Sequence, residues 1–283
     1  MSTSSINRFL KSTITAFVVS LFLLLASSPL QAQDLDVPYV PTPDNVVQKM
    51  LEVTDVKPSD YVIDLGSGDG RIVIAAAERG ANGHGIDLDP ERIEEARQNA
   101  QDAGVDDQIL FIEGNLFETD FSEASVITMY LLPSVNKKLR PELLDRLQPG
   151  TRIVSHSFDM GDWKADKKLT IESEGSSRSH DIYYWVIPAK VAGNWNFSAD
   201  GKDFEINLTQ RYQEITASLT DQNGTTYKTE QQLLRGDRIT IKASNGNQFY
   251  IFSGRVEGDQ IHGSMQHHNA NEKTFSPWTA TRE

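Results

Sequence analysis

Residues 62–71 read VIDLGSGDGR, and this stretch decides the fold. Tyr61 to Leu65 is a short apolar run of strand type, and Gly66, Gly68 and Gly70 follow it as a turn around Ser67 and Asp69. Nucleotide-binding α/β folds place such a turn at the carboxyl end of a strand, where a ligand meets the backbone. A side chain at the glycine positions would block that approach. The spacing separates ligand classes. Dinucleotide folds favour G-x-G-x-x-G, whereas here the order is G-x-G-x-G with Asp64 two residues ahead. A phosphate-binding P-loop needs Lys and Ser/Thr after its glycines, and Arg71 and Ile72 stand there instead.

The second marker is Asp87, in GIDLD, at the end of the next strand-like run. A carboxylate at that place accepts two hydrogen bonds from a ribose diol. Asp64 and Asp69 are expected to meet an ammonium group or to orient the turn. Three carboxylates so close together disfavour a pyrophosphate. They suit a cofactor carrying a sulfonium and an ammonium.

Outward from this loop, strand and helix alternate. The apolar spacing predicts helices over 44–53, 71–79, 90–103 and 135–147, with Thr42 capping the first and Asp89 the third. Strands are expected at 61–65, 84–88, 109–113, 125–131 and 152–158, with a closing pair at 169–173 and 182–187. This rhythm implies a parallel sheet with helices on both faces and an antiparallel edge. Near Ala189 it changes. Eight short alternating runs follow, separated by turn pairs such as Asp200-Gly201, Asn223-Gly224 and Asn245-Gly246. They predict a small all-β barrel or sandwich over 190–283, after an α/β domain over 33–189.

The segment before the α/β region has a different character. Residues 1–33 hold no acidic residue, and Arg8 and Lys11 precede the apolar run Ile14–Ala26. The run is too short to span a bilayer, and the small residues up to Ala32 fit a cleavage site. Residues 1–32 are therefore expected to be a secretory signal peptide, giving an exported protein, with an uncleaved membrane anchor as the alternative. The positive-inside rule places the bulk of the chain outside.

Net charge is −13, and it is uneven. Residues 33–189 carry 15 Lys and Arg against 29 Asp and Glu, whereas 190–283 carry 10 against 11. An acidic first half repels nucleic-acid phosphates. It aids solubility and also suits a cationic partner such as a lysine-bearing protein. There is no cysteine, which excludes disulfides, thiolate metal sites and thiol nucleophiles. No metal site is expected, because the adjacent His267 and His268 point to opposite faces of a strand. Trp195 and Trp278 are expected in the core of the β region.

The motifs DLGSGDGRI and GIDLD resemble those of class I S-adenosylmethionine-dependent methyltransferases. VPYVPTP (37–43), EGNLFETDFSEA (113–124), VITMYLLPSVN (126–136) and PGTRIVSHSF (149–158) are similar to archaeal protein-lysine methyltransferases and to the mitochondrial enzyme acting on the ATP synthase c-subunit. The likeness covers roughly residues 37–189. It implies a Rossmann-like fold, S-adenosyl-L-methionine as cofactor and methyl transfer to an amine, protein lysine first. It implies that Tyr39 and Thr42 fold over the cofactor and that Asn115 and Leu116 flank the adenine. Asn115 replaces the aspartate of many relatives, and its oxygen can accept the same bond from the adenine amino group. Asp64, Gly66, Ser67, Gly68, Gly70 and Asp87 complete the expected cofactor set. The loop 130–134 after the fourth strand should face the acceptor, with Tyr130, the candidate catalytic residue, lining the methyl channel, contacting the amine or packing on the cofactor. His156, near the same edge, is a proton relay or a structural histidine. Two other readings stay open: an exported binding protein with a methyltransferase fold, and a small-molecule methyltransferase with the β region as lid.

Overall fold

The computed structural model describes residues 39–269 and 272–283. The signal-peptide expectation falls on residues outside that range. Among the described residues no helix is long and apolar enough to cross a membrane.

The chain enters with helix α1 (Asp44–Val53), whose Val46, Val47, Met50 and Leu51 are buried on one face. Thr42 is not its cap. Pro43 occupies the N-cap without a side-chain hydrogen bond, and the Thr42 hydroxyl pairs instead with His156 Nδ1 at 3.0 Å. Strands β1 (Tyr61–Leu65), β2 (Asn82–Asp87), β3 (Ile109–Glu113), β4 (Val126–Met129) and β5 (Arg152–His156) alternate with α2 (Arg71–Ala77), α3 (Pro90–Ala103) and α4 (Pro133–Arg146). Asp89 caps α3 as expected, accepting from the Glu91 N–H. Helix α4 begins two residues before the expected start, with Pro133 in its first turn, because proline's fixed φ suits that position and its missing N–H costs nothing there. The loop expected to face the acceptor is therefore Tyr130–Leu132, shorter than expected. β6 (Lys167–Glu172) and β7 (Ser179–Val186) close the sheet, giving the order β3-β2-β1-β4-β5-β7-β6. β1 to β5 run parallel, and β7 joins β5 antiparallel.

Alternation along the strands builds a core on each face. Ile63, Leu65, Ile127, Met129 and Ile153 pack with Leu139 and Leu143 of α4. Val62, Val126 and Val154 pack with α1 and α2. Asp64 and Thr128 share this second face, and the register places them side by side.

Eight antiparallel strands follow: β8 (Gly193–Ala199), β9 (Lys202–Arg211), β10 (Glu214–Asp221), β11 (Thr226–Arg235), β12 (Arg238–Ser244), β13 (Phe249–Glu257), β14 (Gln260–His268) and β15 (Lys273–Arg282). They form a closed up-and-down barrel, β15 pairing back to β8, so the barrel alternative is the observed one. An eight-stranded barrel is just wide enough to be filled by side chains. Trp195, Phe197, Phe204, Tyr227, Tyr250, Phe252 and Trp278 fill this one. The two tryptophans are thus core residues. Sheet and barrel belong to one compact unit.

Candidate functional site

The site lies at the carboxyl ends of β1, β2 and β4, where the strand order reverses between β1 and β4 and leaves a crevice. Gly66, Gly68 and Gly70 all have positive φ, which explains glycine at each. Sequence reasoning attributed their small size to ligand approach, and the structure adds internal packing. A Cβ on Gly66 would meet Leu131 Cδ2 at 2.6 Å, on Gly68 the Tyr39 ring, and on Gly70 the Phe111 ring at 2.7 Å.

Asp64 is buried, and its Oδ1 accepts from the Thr128 hydroxyl at 2.6 Å. Its Oδ2 is buried without a partner, as is the Ser67 hydroxyl. Burial, with Asp87 and Asp69 nearby, pushes the Asp64 carboxyl up to about 7 against the pull of Thr128. A buried carboxylate oxygen lacking a donor is what a cationic ligand would satisfy. Asp87 accepts from the Gly68 N–H (2.8 Å) with one oxygen and from the Asp89 N–H (3.0 Å) with the other. Each oxygen keeps a further lone pair for a diol. The donor set fits S-adenosylmethionine: a free carboxylate oxygen for an ammonium, a half-exposed carboxylate for a ribose, and a glycine turn between them.

Asp69 takes the second of its two expected roles, orienting the turn. Burial works to raise its carboxyl, but Arg71 outweighs burial and holds it low. Arg71 Nη2 lies 2.6 Å from Asp69 Oδ2, and its Nη1 donates to the Thr42 carbonyl at 2.9 Å. Tyr39 lies over the Gly68 backbone with Arg92 stacked on its ring at 5.0 Å, and the Thr42 carbonyl is tied to the loop through Arg71. Asn115 Oδ1 accepts from the Phe117 N–H at 3.0 Å, and Leu116 packs against the core of the α4 face. Asn115 thus first shapes its own turn.

The edge expected to face the acceptor centres on Tyr130, whose ring lies 3.9 Å from that of His156 and 6.1 Å from Phe158. His156 Nε2 pairs with His180 Nδ1 at 2.7 Å, and His180 Nε2 with the Ser173 hydroxyl at 2.7 Å. Burial, then His180 and Arg178, lower the His156 pKa to about 4. Sequence reasoning missed His180 and Ser173, which the antiparallel edge brings in from 24 and 17 residues downstream of His156. Among the described residues no cluster of three or more His, Asp or Glu side chains could hold a metal ion.

The family model of the ANTKMT methyltransferase domain matches residues 64–167. A protein-lysine N-methyltransferase of Saccharolobus islandicus is 46% identical over 53% of this chain and 94% of its own. An adenine nucleotide translocase lysine N-methyltransferase of Mus musculus is 32% identical over 53% of this chain and 65% of its own. A solved structure of an RNA methyltransferase from Salinibacter ruber, in complex with S-adenosyl-L-homocysteine, is 54% identical over 54% of this chain and 96% of that one, with a TM-score of 0.50. The loop geometry and these matches lead to one conclusion: the chain belongs to the protein-lysine N-methyltransferase family of class I S-adenosylmethionine-dependent enzymes.

Proposed function

We propose that this methyltransferase transfers the methyl group to the ε-amine of a protein lysine. The observation that carries the reading is the match to the archaeal lysine enzyme over nearly that enzyme's whole length. The acidic sheet region supports it, since a basic protein segment is drawn to carboxylates and a polynucleotide is repelled.

In this reading Asp64, Gly66, Ser67, Gly68, Gly70 and Asp87 hold the cofactor, Tyr39 and Thr42 cover it, and Asn115 and Leu116 flank its adenine. When bound, the cofactor supplies an electrophilic methyl on a sulfonium. The chain contributes alignment and exclusion of water. The lysine first loses its proton, from a group of ordinary pKa about 10.4. With that proton passed to solvent, the neutral amine would be held in line with the methyl group by the Tyr130 side of the site. Tyr130 lines the channel between the two.

The Salinibacter protein, named for RNA, favours a second reading, an RNA acceptor. Tritiated S-adenosylmethionine offered with cell-envelope protein and with total RNA separates them, beside the Asp87→Ala variant. Label in protein, located on lysine by mass spectrometry and lost in the variant, is expected. Label in RNA alone would overturn the lysine reading.

Residues 1–32 are proposed to export the enzyme, supported by the basic, apolar and small-residue order of that segment. The mass of the mature protein tests this, with Gln33 as the expected first residue. Because S-adenosylmethionine is made in the cytoplasm, an exported enzyme needs a cofactor supply.

A further inference from the structure

We propose that the turn of the β9–β10 hairpin, Arg211 to Glu214, positions the acceptor-side segment 157–166, so that the barrel tunes acceptor binding without touching the cofactor loop. The proposal rests on the reading of the Tyr130 edge as the acceptor side.

The segment leaves the carboxyl end of β5, beside the site, and Phe158 lies against Tyr130. Its near half is held by α4: Asn136 Nδ2 donates to the Phe158 and Asp159 carbonyls at 3.2 Å each, and Arg140 to the Met160 carbonyl at 2.7 Å. Its far half is held by the barrel. Asp162 accepts from Arg211 Nη2 at 2.6 Å and from the Tyr212 hydroxyl at 3.2 Å, and also pairs with Arg140. Trp163 Nε1 donates to Gln213 Oε1 at 2.7 Å, while Gln213 Nε2 donates to the Lys164 carbonyl at 2.8 Å. Lys164 pairs with Glu214 at 2.9 Å. All four hairpin residues thus bond to three consecutive residues of the segment. Arg211, then Arg140, hold the Asp162 carboxyl down at about 2, so it stays ionised throughout the working range.

The turn itself carries the second observation. Tyr212 has φ +57 in a two-residue hairpin turn, a conformation that glycine adopts freely and tyrosine does not. A plain turn would not need tyrosine there. The ring is used: it stacks on Trp163 at 5.8 Å, and the Arg140 guanidinium lies 5.6 Å from its centroid. Trp163 is fully buried, and its carbonyl accepts from Trp185 Nε1 at 3.1 Å. The archaeal relative's match covers 94% of that protein and leaves no room for an eight-stranded barrel. The hairpin contacts are therefore an addition to the shared catalytic part.

The test uses the full mature chain and two variants, Arg211→Ala/Tyr212→Gly and Tyr212→Phe. Amide hydrogen exchange in 157–166 should speed at least tenfold in the double variant. In Tyr212→Phe it should stay near wild type, because the stacked ring is kept. Titrated S-adenosylhomocysteine should bind all three within twofold. The KM for poly-L-lysine, with tritiated S-adenosylmethionine, should rise at least fivefold in the double variant. Unchanged exchange over 157–166 in the double variant overturns the proposal, as does a cofactor affinity that falls in step with KM. A wild-type chain that binds no S-adenosylhomocysteine refutes the methyltransferase reading instead, and the exchange measurement still decides the clamp.

Discussion

Single groups at this site titrate in opposite senses, and each has a measurable consequence. Asp64, held near pH 7 by burial, is mostly protonated just below neutrality. A cationic ligand requires it ionised, so binding in that range releases a proton. S-adenosylhomocysteine affinity should climb by up to tenfold per pH unit below 7 and level off above it. Asp64→Asn should bind weakly and show a flat profile by calorimetric titration. His156 works the other way. Its neutral ring is buried beside His180 and Arg178, and its pKa of about 4 lies below the ordinary histidine value of 6.5. The unfolded chain thus takes up a proton between pH 6.5 and 4 that the folded chain refuses, and stability falls with pH across that window. His156→Gln should blunt the fall, read as Tm against pH. The placement of Asp64 and Asp87 beside the loop was legible because both lie at the ends of neighbouring strands that the glycine turn joins. The chain from Thr42 through His156 and His180 to Ser173 was not, because its members lie on three separate segments.

Glycine positions differ at the level of elements. Gly70 opens α2 in a left-handed conformation, and a Cβ there would strike Phe111 at 2.7 Å and Ala96 Cβ at 3.0 Å. Gly104 ends α3 with φ +69 and open space around it. Gly104→Ala should cost roughly 1 kcal/mol of backbone strain. Gly70→Ala should cost about 3 kcal/mol, as overpacking adds to the strain. Urea unfolding compares them; equal losses would mean that the contact with Phe111 yields freely. Such distinctions explain where the reading of elements ran out. Among the described residues periodicity located the four helices and the barrel strands, since burial alternates as the pattern implies. It misplaced the start of α4 and the cap of α1, because Pro133 opens a helix it was expected only to precede, and the hydroxyl of Thr42 finds a distant histidine.

For the molecule as a whole, the junction between sheet and barrel matters most. Buried Trp163 and Trp185 lie on the sheet side, with Tyr212 and Gln213 opposite, and Ala189 donates from its N–H to the Gly236 carbonyl at 2.8 Å. Calorimetry should therefore show one unfolding transition, and Trp163→Ala should split or broaden it; two independent peaks in the wild-type chain would argue against coupling. The uneven charge belongs to this scale too. Methylation of a basic acceptor should weaken as salt rises from about 50 to about 500 mM, since screening shortens the reach of the acidic sheet region, to about 3 Å at 1 M. The closed barrel has one more consequence. Its first and last strands are neighbours, with Thr281 beside Asn196, so the chain leaves the barrel on the same flank by which it entered. In evolutionary terms it is a cassette: with entry and exit side by side, it can be joined to a chain at one place without splitting the sheet.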